Sequence, residues 1–242
     1  MKCNQMGWGE HMAIVVANEE ISPGVFKLSV QGRFTGKMGQ FYMLRAGERY
    51  PLLSRPISIF DLEEDRLDFL IRVAGVGTTR LSELKQGDRL TLDGPFGNGF
   101  PPLEGRTAFV GGGIGIAPFY YALREAPQAD VYLGYSREPY LVEEFRAMSR
   151  GNVTVDVGGS ILEKVDFRAY DTVIACGPHP MLHAVQRKQA ESGGQAKVYV
   201  SLENRMACGI GACLVCSVKC RDGRKKACAD GPVFLAEEVM FV

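Results

Sequence analysis

The stretch TAFVGGGIGIAPFYYALR, residues 107–124, decides the architecture. It opens on the short apolar run Thr107–Val110 and passes through Gly111-Gly112-Gly113-Ile114-Gly115-Ile116-Ala117-Pro118. It closes on Pro118–Arg124, with a proline where a first helical turn tolerates one. Strand, glycine turn and helix therefore follow one another directly. A tight strand-to-helix turn needs one glycine; four allow a backbone to approach a pyrophosphate seated at the helix N-terminus. The strict GxGxxG spacing is not kept, because Ile116 stands where the last glycine counted from Gly111 belongs. Placement between strand and helix is what makes Gly111, Gly112, Gly113 and Gly115 candidates for nucleotide binding.

The same rhythm continues downstream. Val131–Tyr135, Val153–Val155 and Thr172–Ala175 read as strands, Leu141–Met148 and Met181–Ala190 as helices, and Lys197–Ser201 as the last strand. This alternation predicts a parallel sheet with crossover helices over residues 105–202. Cys176-Gly177-Pro178, at the end of one of its strands, borders the same crevice as the glycine turn. Upstream, over residues 10–100, the rhythm is different. Ala13–Val16, Val25–Val30, Phe41–Arg45, Pro56–Phe60, Leu67–Val73 and Arg89–Leu92 are short β-rich runs. Turn signals such as Ser22-Pro23-Gly24 and Gln86-Gly87-Asp88 separate them, which predicts a small antiparallel β-barrel. Pro95–Pro102 breaks the periodicity and reads as the linker.

The last unit, residues 203–242, is defined by its cysteines. Five of the seven in the chain fall between Cys208 and Cys228, and the number is odd, so a disulfide framework is not expected. Cys208-x4-Cys213-x2-Cys216 is the spacing of the first three ligands in plant-type [2Fe-2S] proteins. Gly209 and Gly211 let the loop wrap a small inorganic core. A structural zinc knuckle is the competing reading, but it favours CxxC pairs, and only Cys213/Cys216 forms one. Cys228 is favoured over Cys220 as the fourth ligand, because Cys220 lies on the near side of the Asp222-Gly223 hairpin signal. A strand returning from that hairpin brings Cys228 back to the loop.

Composition narrows the partners. Lys plus Arg and Asp plus Glu both number 28, so no basic excess exists to neutralise a phosphate backbone, and nucleic acid is not expected. The run Ala13–Ala17 is too short for a signal-peptide core, and uncharged Phe109–Leu123 is too short for a membrane span. A cytoplasmic chain without membrane attachment is expected. Met1–Trp8, with Cys3, has no reading.

Arg55-Pro56-Ile57-Ser58 combines a cation for a phosphate with a hydroxyl that can meet a flavin ring edge; an Arg merely paired with an acid at a strand start is the competing reading. Gly75-Val76-Gly77-Thr78-Thr79, ahead of the helix-like Arg80–Leu84, offers N–H groups and hydroxyls to an anion. Ser136-Arg137, after the second strand of the sheet domain, suits an NADP 2′-phosphate. His179 and His183 lie four apart with Pro180 between them and read as structural. Lys219, Arg221, Arg224, Lys225 and Lys226 read as a solvated hairpin or as a docking surface.

RPxS on a barrel, GGGxGxxP opening a nucleotide domain and CGP near its end together resemble the ferredoxin–NAD(P) reductase superfamily. Ser201-Leu202-Glu203-Asn204-Arg205-Met206-Ala207-Cys208-Gly209-Ile210-Gly211-Ala212-Cys213, with Cys228-Ala229-Asp230-Gly231-Pro232-Val233-Phe234, resembles the electron transfer subunits of type B, NAD-dependent dihydroorotate dehydrogenases. The resemblance implies FAD between the two larger domains, held by Arg55, Pro56, Ile57, Ser58, by Leu70, Ile71, Arg72 and by Gly77 and Thr78. It implies NAD at Gly111–Pro118 and at Cys176, Gly177 and Pro178. It also implies a [2Fe-2S] cluster on Cys208, Cys213, Cys216 and Cys228, linking FAD to the FMN of a separate catalytic subunit in a heterotetramer of two plus two chains. No residue here is expected to carry the dihydroorotate chemistry itself. The FAD/[2Fe-2S] subunit of a bifurcating transhydrogenase, a sulfide dehydrogenase or a soluble hydrogenase is the alternative.

Overall fold

The computed structural model describes residues 11–47, 50–193 and 196–241; Met1–Trp8 and Cys3 lie outside them. Strands β1 (His11–Ser22), β2 (Val25–Gln31), β3 (Phe41–Ala46), β4 (Arg55–Leu62), β5 (Arg66–Arg72) and β6 (Arg89–Phe96) close into a barrel in the order β1-β2-β5-β4-β3-β6. All its pairings are antiparallel. Each β run read from the sequence falls on one of these strands. Strand β6 extends further than expected: Phe96 pairs with Phe41 across a register shift, so Pro95 and Phe96 belong to the barrel and the linker starts at Gly97.

Period-two alternation divides β4 and β5 between two cores. Ile59, Leu67, Phe69 and Ile71 fill the barrel with Val15, Leu28 and Leu44. Phe60 and Leu70, one residue along, point out of it and pack with Phe109, Phe119 and Leu123 of the next domain. The same strands thus close one domain and form a wall for the other.

Helix α1 (Val76–Ser82), between β5 and β6, begins earlier than the expected Arg80–Leu84. The Thr78 hydroxyl accepts the N–H groups of Ala74 (2.8 Å) and Gly75 (3.1 Å), a cap that starts the helix on residues of poor helix propensity.

The second domain comprises β7 (Thr107–Gly112), α2 (Ala117–Glu125), β8 (Asp130–Tyr135), α3 (Val142–Met148), β9 (Val153–Val157), β10 (Thr172–Cys176), α4 (His179–Ser192) and β11 (Lys197–Ser201). After these come the hairpin β12 (Ser217–Cys220) and β13 (Gly223–Lys226), and then β14 (Val233–Leu235). The sheet order is β14-β11-β10-β7-β8-β9. Its first five strands in chain order are parallel, as expected, but Lys197–Ser201 is not its last. Strand β14, from the cysteine segment, joins β11 antiparallel, with Val200 opposite Phe234. Three residues are too few to show a strand period. Asn98 secures the linker to the same segment: its backbone N–H reaches the Gly231 carbonyl at 2.6 Å, and its Nδ2 reaches the carbonyls of Asp230 and Val233. Among the described residues no helix is long and apolar enough to cross a membrane.

At the start of β8, Asp130 closes the end of the sheet away from the crevice. Its carboxylate accepts from the Asn152 backbone N–H (2.8 Å), Asn152 Nδ2 (3.1 Å), Tyr170 Oη (2.8 Å) and Arg106 Nη2 (2.9 Å). Burial pushes its pKa up, but these donors outweigh burial and hold it below the usual carboxylate value. Such a group stabilises the fold above the unfolded carboxylate pKa, and that stabilisation is lost as pH falls through the folded value. Asp130→Asn is expected to cost about 2 kcal/mol near neutral pH. It should also flatten the acid limb of the stability profile, which denaturant unfolding at a series of pH values measures.

Candidate functional site

A cleft of about 290 Å³ lies between the barrel and the sheet domain, at the small end of the range for ligand clefts. Strand β4 contributes Pro56, Ile57 and Ser58, β5 contributes Leu70 and Arg72, and α1 contributes Thr78. Opposite them stand Ile114, Ala117 and Pro118, where the glycine turn enters α2, and Cys176 at the end of β10. This placement follows from topology: the chain leaves β7 toward β8 on one side and β10 toward β11 on the other, which opens a crevice at their C-terminal ends. Gly111 pairs in register with Cys176 there. A Cβ at Gly115 would collide with the Cys176 carbonyl, so only glycine lets the turn pack this closely.

Arg55 stands just behind the cleft. Its Nη1 donates to the carbonyls of Leu53 (2.8 Å) and Ser54 (3.3 Å). Its guanidinium rests on Gly77, where a Cβ would strike Nε. Among the described residues no Asp or Glu pairs with it, which leaves the cation available to an anion. Two expectations change. The Thr78 hydroxyl is engaged by the N-cap, and the Ile71 side chain is buried in the barrel core, away from the cleft wall.

The third wall was not read from the sequence. The segment leaving β11 lines the cleft from Ser201 to Met206, and two residues later it enters the cysteine loop at Cys208. The available signal was position, since a residue just past a parallel strand faces the crevice. Glu203 lies open to the cleft, yet the protein around it desolvates its carboxyl and raises its pKa, with Arg72 and His179 opposing.

In the cysteine loop, backbone amides are aimed at sulfur. Burial opposes ionisation of Cys208, but N–H groups of Cys213, Ile210 and Ala212 outweigh it and bring its pKa down to about 6. The Gly211 N–H points at Cys228 Sγ (3.1 Å), and Cys216 Sγ lies 3.2 Å from Cys228 Sγ. Burial, with Cys216 close by, pushes the Cys228 thiol up to about 12. Among the described residues no three His, Cys, Asp or Glu side chains converge on one point. The four cysteines stand as two pairs, Cys208/Cys213 and Cys216/Cys228, and four thiolates on two irons is the donor set of a [2Fe-2S] cluster. Cys220 is buried in β12, where it bridges to Val239.

Around the loop, Cys213, Ile210, Leu214 and Val215 are exposed. On the basic hairpin, Lys225 pairs with Glu238 (3.0 Å) and Asp222 (3.4 Å), while Lys219, Arg221 and Arg224 are exposed. His183 stacks on Phe241 at 5.6 Å, and His179 meets the same ring edge-on, so both help to pack the chain end onto α4.

Residues 203–240 match the family model for the iron–sulfur cluster binding domain of dihydroorotate dehydrogenase B. The chain is 39% identical over 236 residues to the electron transfer subunit of dihydroorotate dehydrogenase B (NAD(+)) from Clostridium acetobutylicum, covering 93% of this chain and 95% of that one. It is 40% identical to the corresponding subunit from Caldanaerobacter subterraneus subsp. tengcongensis, over 95% and 98% of the two chains. Among solved structures, a chain of an NADH-dependent reduced ferredoxin-NADP oxidoreductase superposes with a TM-score of 0.84 at 29% identity, covering 96% of this chain and 91% of that one. The ferredoxin reductase of carbazole 1,9a-dioxygenase shares the fold, with a TM-score of 0.67 at 21% identity over 78% and 68% of the chains.

The two cysteines competing for the fourth position should separate cleanly. Cys228→Ser is expected to lose iron and acid-labile sulfide, while Cys220→Ser keeps both. Metal analysis and visible absorbance of the two purified variants test this.

Proposed function

The chain belongs to the electron transfer subunits of dihydroorotate dehydrogenase B, and on that premise we propose that it relays electrons to NAD+. They arrive from the FMN of a separate catalytic subunit and pass through a [2Fe-2S] cluster and FAD. Residues 10–100 serve the flavin, 105–202 the nicotinamide nucleotide and 203–242 the cluster. The observation that carries this reading is the continuity of Ser201–Cys208, one short segment that walls the cleft and then enters the cysteine loop. Flavin and cluster sites built this way are neighbours.

FAD when bound exchanges hydride with nicotinamide and single electrons with a cluster. The residues of this chain bind and orient. Arg55, resting on Gly77 at the first turn of α1, holds a phosphate, and Pro56, Ile57 and Ser58 border the ring. Leu70, Arg72 and Thr78 form the rest of that wall. Gly111, Gly112, Gly113 and Gly115, with Cys176, Gly177 and Pro178, receive the nicotinamide nucleotide. Burial pushes the Cys176 thiol well up, so it stays neutral beside the reacting rings. Cys208, Cys213, Cys216 and Cys228 hold the cluster, and backbone amides point at the sulfurs of Cys208, Cys216 and Cys228.

The exposed apolar residues around Cys213, with the exposed bases Lys219, Arg221 and Arg224 of the hairpin that follows, are the face offered to the catalytic subunit, in a cytoplasmic assembly of two plus two chains serving pyrimidine biosynthesis. A bifurcating transhydrogenase subunit is not favoured: sequence relatives named for dihydroorotate dehydrogenase B are closer, at 39–40%, than the 29% of the oxidoreductase chain.

Arg55→Ala is expected to lower FAD content, and flavin-to-protein ratios after gel filtration check it. Cys213→Ser should abolish cluster assembly and transfer to the catalytic subunit, while NADH oxidation with an artificial dye survives. Loss of the dye activity in a folded, flavin-loaded variant would contradict the relay.

A further inference from the structure

Helix α2 and strand β4 each have one end in the cleft. Ala117 and Pro118 line it from the helix, and Pro56, Ile57 and Ser58 line it from the strand. Their other ends are gripped together. Arg124 Nε lies 2.5 Å from Asp61 Oδ1 and Arg124 Nη2 lies 2.6 Å from Asp61 Oδ2, a two-pronged pairing that fixes orientation as well as distance. Nη2 also reaches Glu63 Oε1 at 3.0 Å. Asp61 is only 4% exposed, and its Oδ1 accepts the Leu62 N–H at 2.9 Å, so the carboxylate is itself held. Between grip and cleft, Phe60 and Tyr120 stack with their centroids 4.5 Å apart. From Pro118 to Arg124 the helix rises about 9 Å, and from Ser58 to Asp61 the strand runs about 10 Å. The grip and the cleft are thus joined by two stiff arms of nearly equal length.

We propose that Arg124 and Asp61 are positioning residues, a latch that sets the separation between the flavin strand and the nucleotide turn for hydride transfer. The proposal rests on the functional reading above. In the step concerned, the C4–H bond of NADH breaks and its hydrogen passes with both bonding electrons to flavin N5, leaving NAD+; the reverse occurs when NAD+ is the acceptor. Direct transfer of this kind needs the reacting atoms about 3–3.5 Å apart, and a misplacement of about 1 Å can cost about a hundredfold. Arg124 touches neither ring, and it acts through the two arms.

The test uses the protein loaded with FAD and cluster. In Arg124→Gln, flavin content and cluster absorbance should be unchanged. The rate of flavin reduction at saturating NADH should fall about 10- to 100-fold with little change in KM, and the long-wavelength charge-transfer absorbance of the NADH–flavin pair should weaken. Arg124→Lys, keeping one prong, should recover part of both. A folded, flavin-loaded Arg124→Gln with the wild-type rate and charge-transfer band would overturn the proposal. If Arg124→Gln does not fold, Asp61→Asn, which removes the charge and one of the two prongs on Arg124, should slow the same step about two- to fivefold, and an unchanged rate in the folded, flavin-loaded variant would overturn it equally. Wild-type protein that binds no flavin and oxidises no NADH would bring down the functional reading, and the latch with it.

Discussion

The outward face of β4 and β5, pressed against α2, is the contact on which the rest of the molecule depends. Phe60 and Leu70 leave the barrel on this face and join Phe109, Phe119 and Leu123 in a single apolar cluster. Ile59 and Phe69, each one residue back, fill the barrel. Strand alternation alone therefore builds two cores from two strands. With that contact made, the beginning of β4 and the beginning of α2 have to face one another, and the space between them is the cleft.

The third unit is tied to this frame at both ends. It starts where β11 ends at Ser201, and it closes on β14, which pairs with β11 and whose approach is held by Asn98. Between those anchors the cysteine loop packs against the barrel, where Gly209 lies close to Met43 and Phe96. The cluster ligands consequently lie beside both domains, and the segment carrying Glu203 and Met206 is a shared wall. Amide groups directed at Cys208 favour its thiolate, and the Gly211 N–H points at Cys228.

Much of this was legible in the sequence because its signals are local. Thr107–Val110 followed by four glycines and Pro118, the alternating strands and helices after it, and the cysteine spacing each lie within a few residues of chain. What stayed hidden is long-range or short of a full period. The pair Arg124 and Asp61 is 63 residues apart and has no local signature. Val233–Leu235 is too brief to read as a strand, and Pro95-Phe96 looks like a break because a bulged barrel edge tolerates proline. The capping hydroxyl of Thr78 moved a helix start that propensity alone puts later. Glu203 has no motif of its own, and only the sheet order reveals that the end of β11 faces the cleft.

The most direct measurement is anaerobic NAD+ reduction driven by dihydroorotate, using this chain purified together with its catalytic subunit and, separately, the catalytic subunit alone. Orotate and NADH in equal amounts are expected from the complex, and no NADH when this chain is left out. NADH formation by the catalytic subunit alone, or a flavin- and iron-loaded complex that makes orotate with a dye but never reduces NAD+, would contradict the relay.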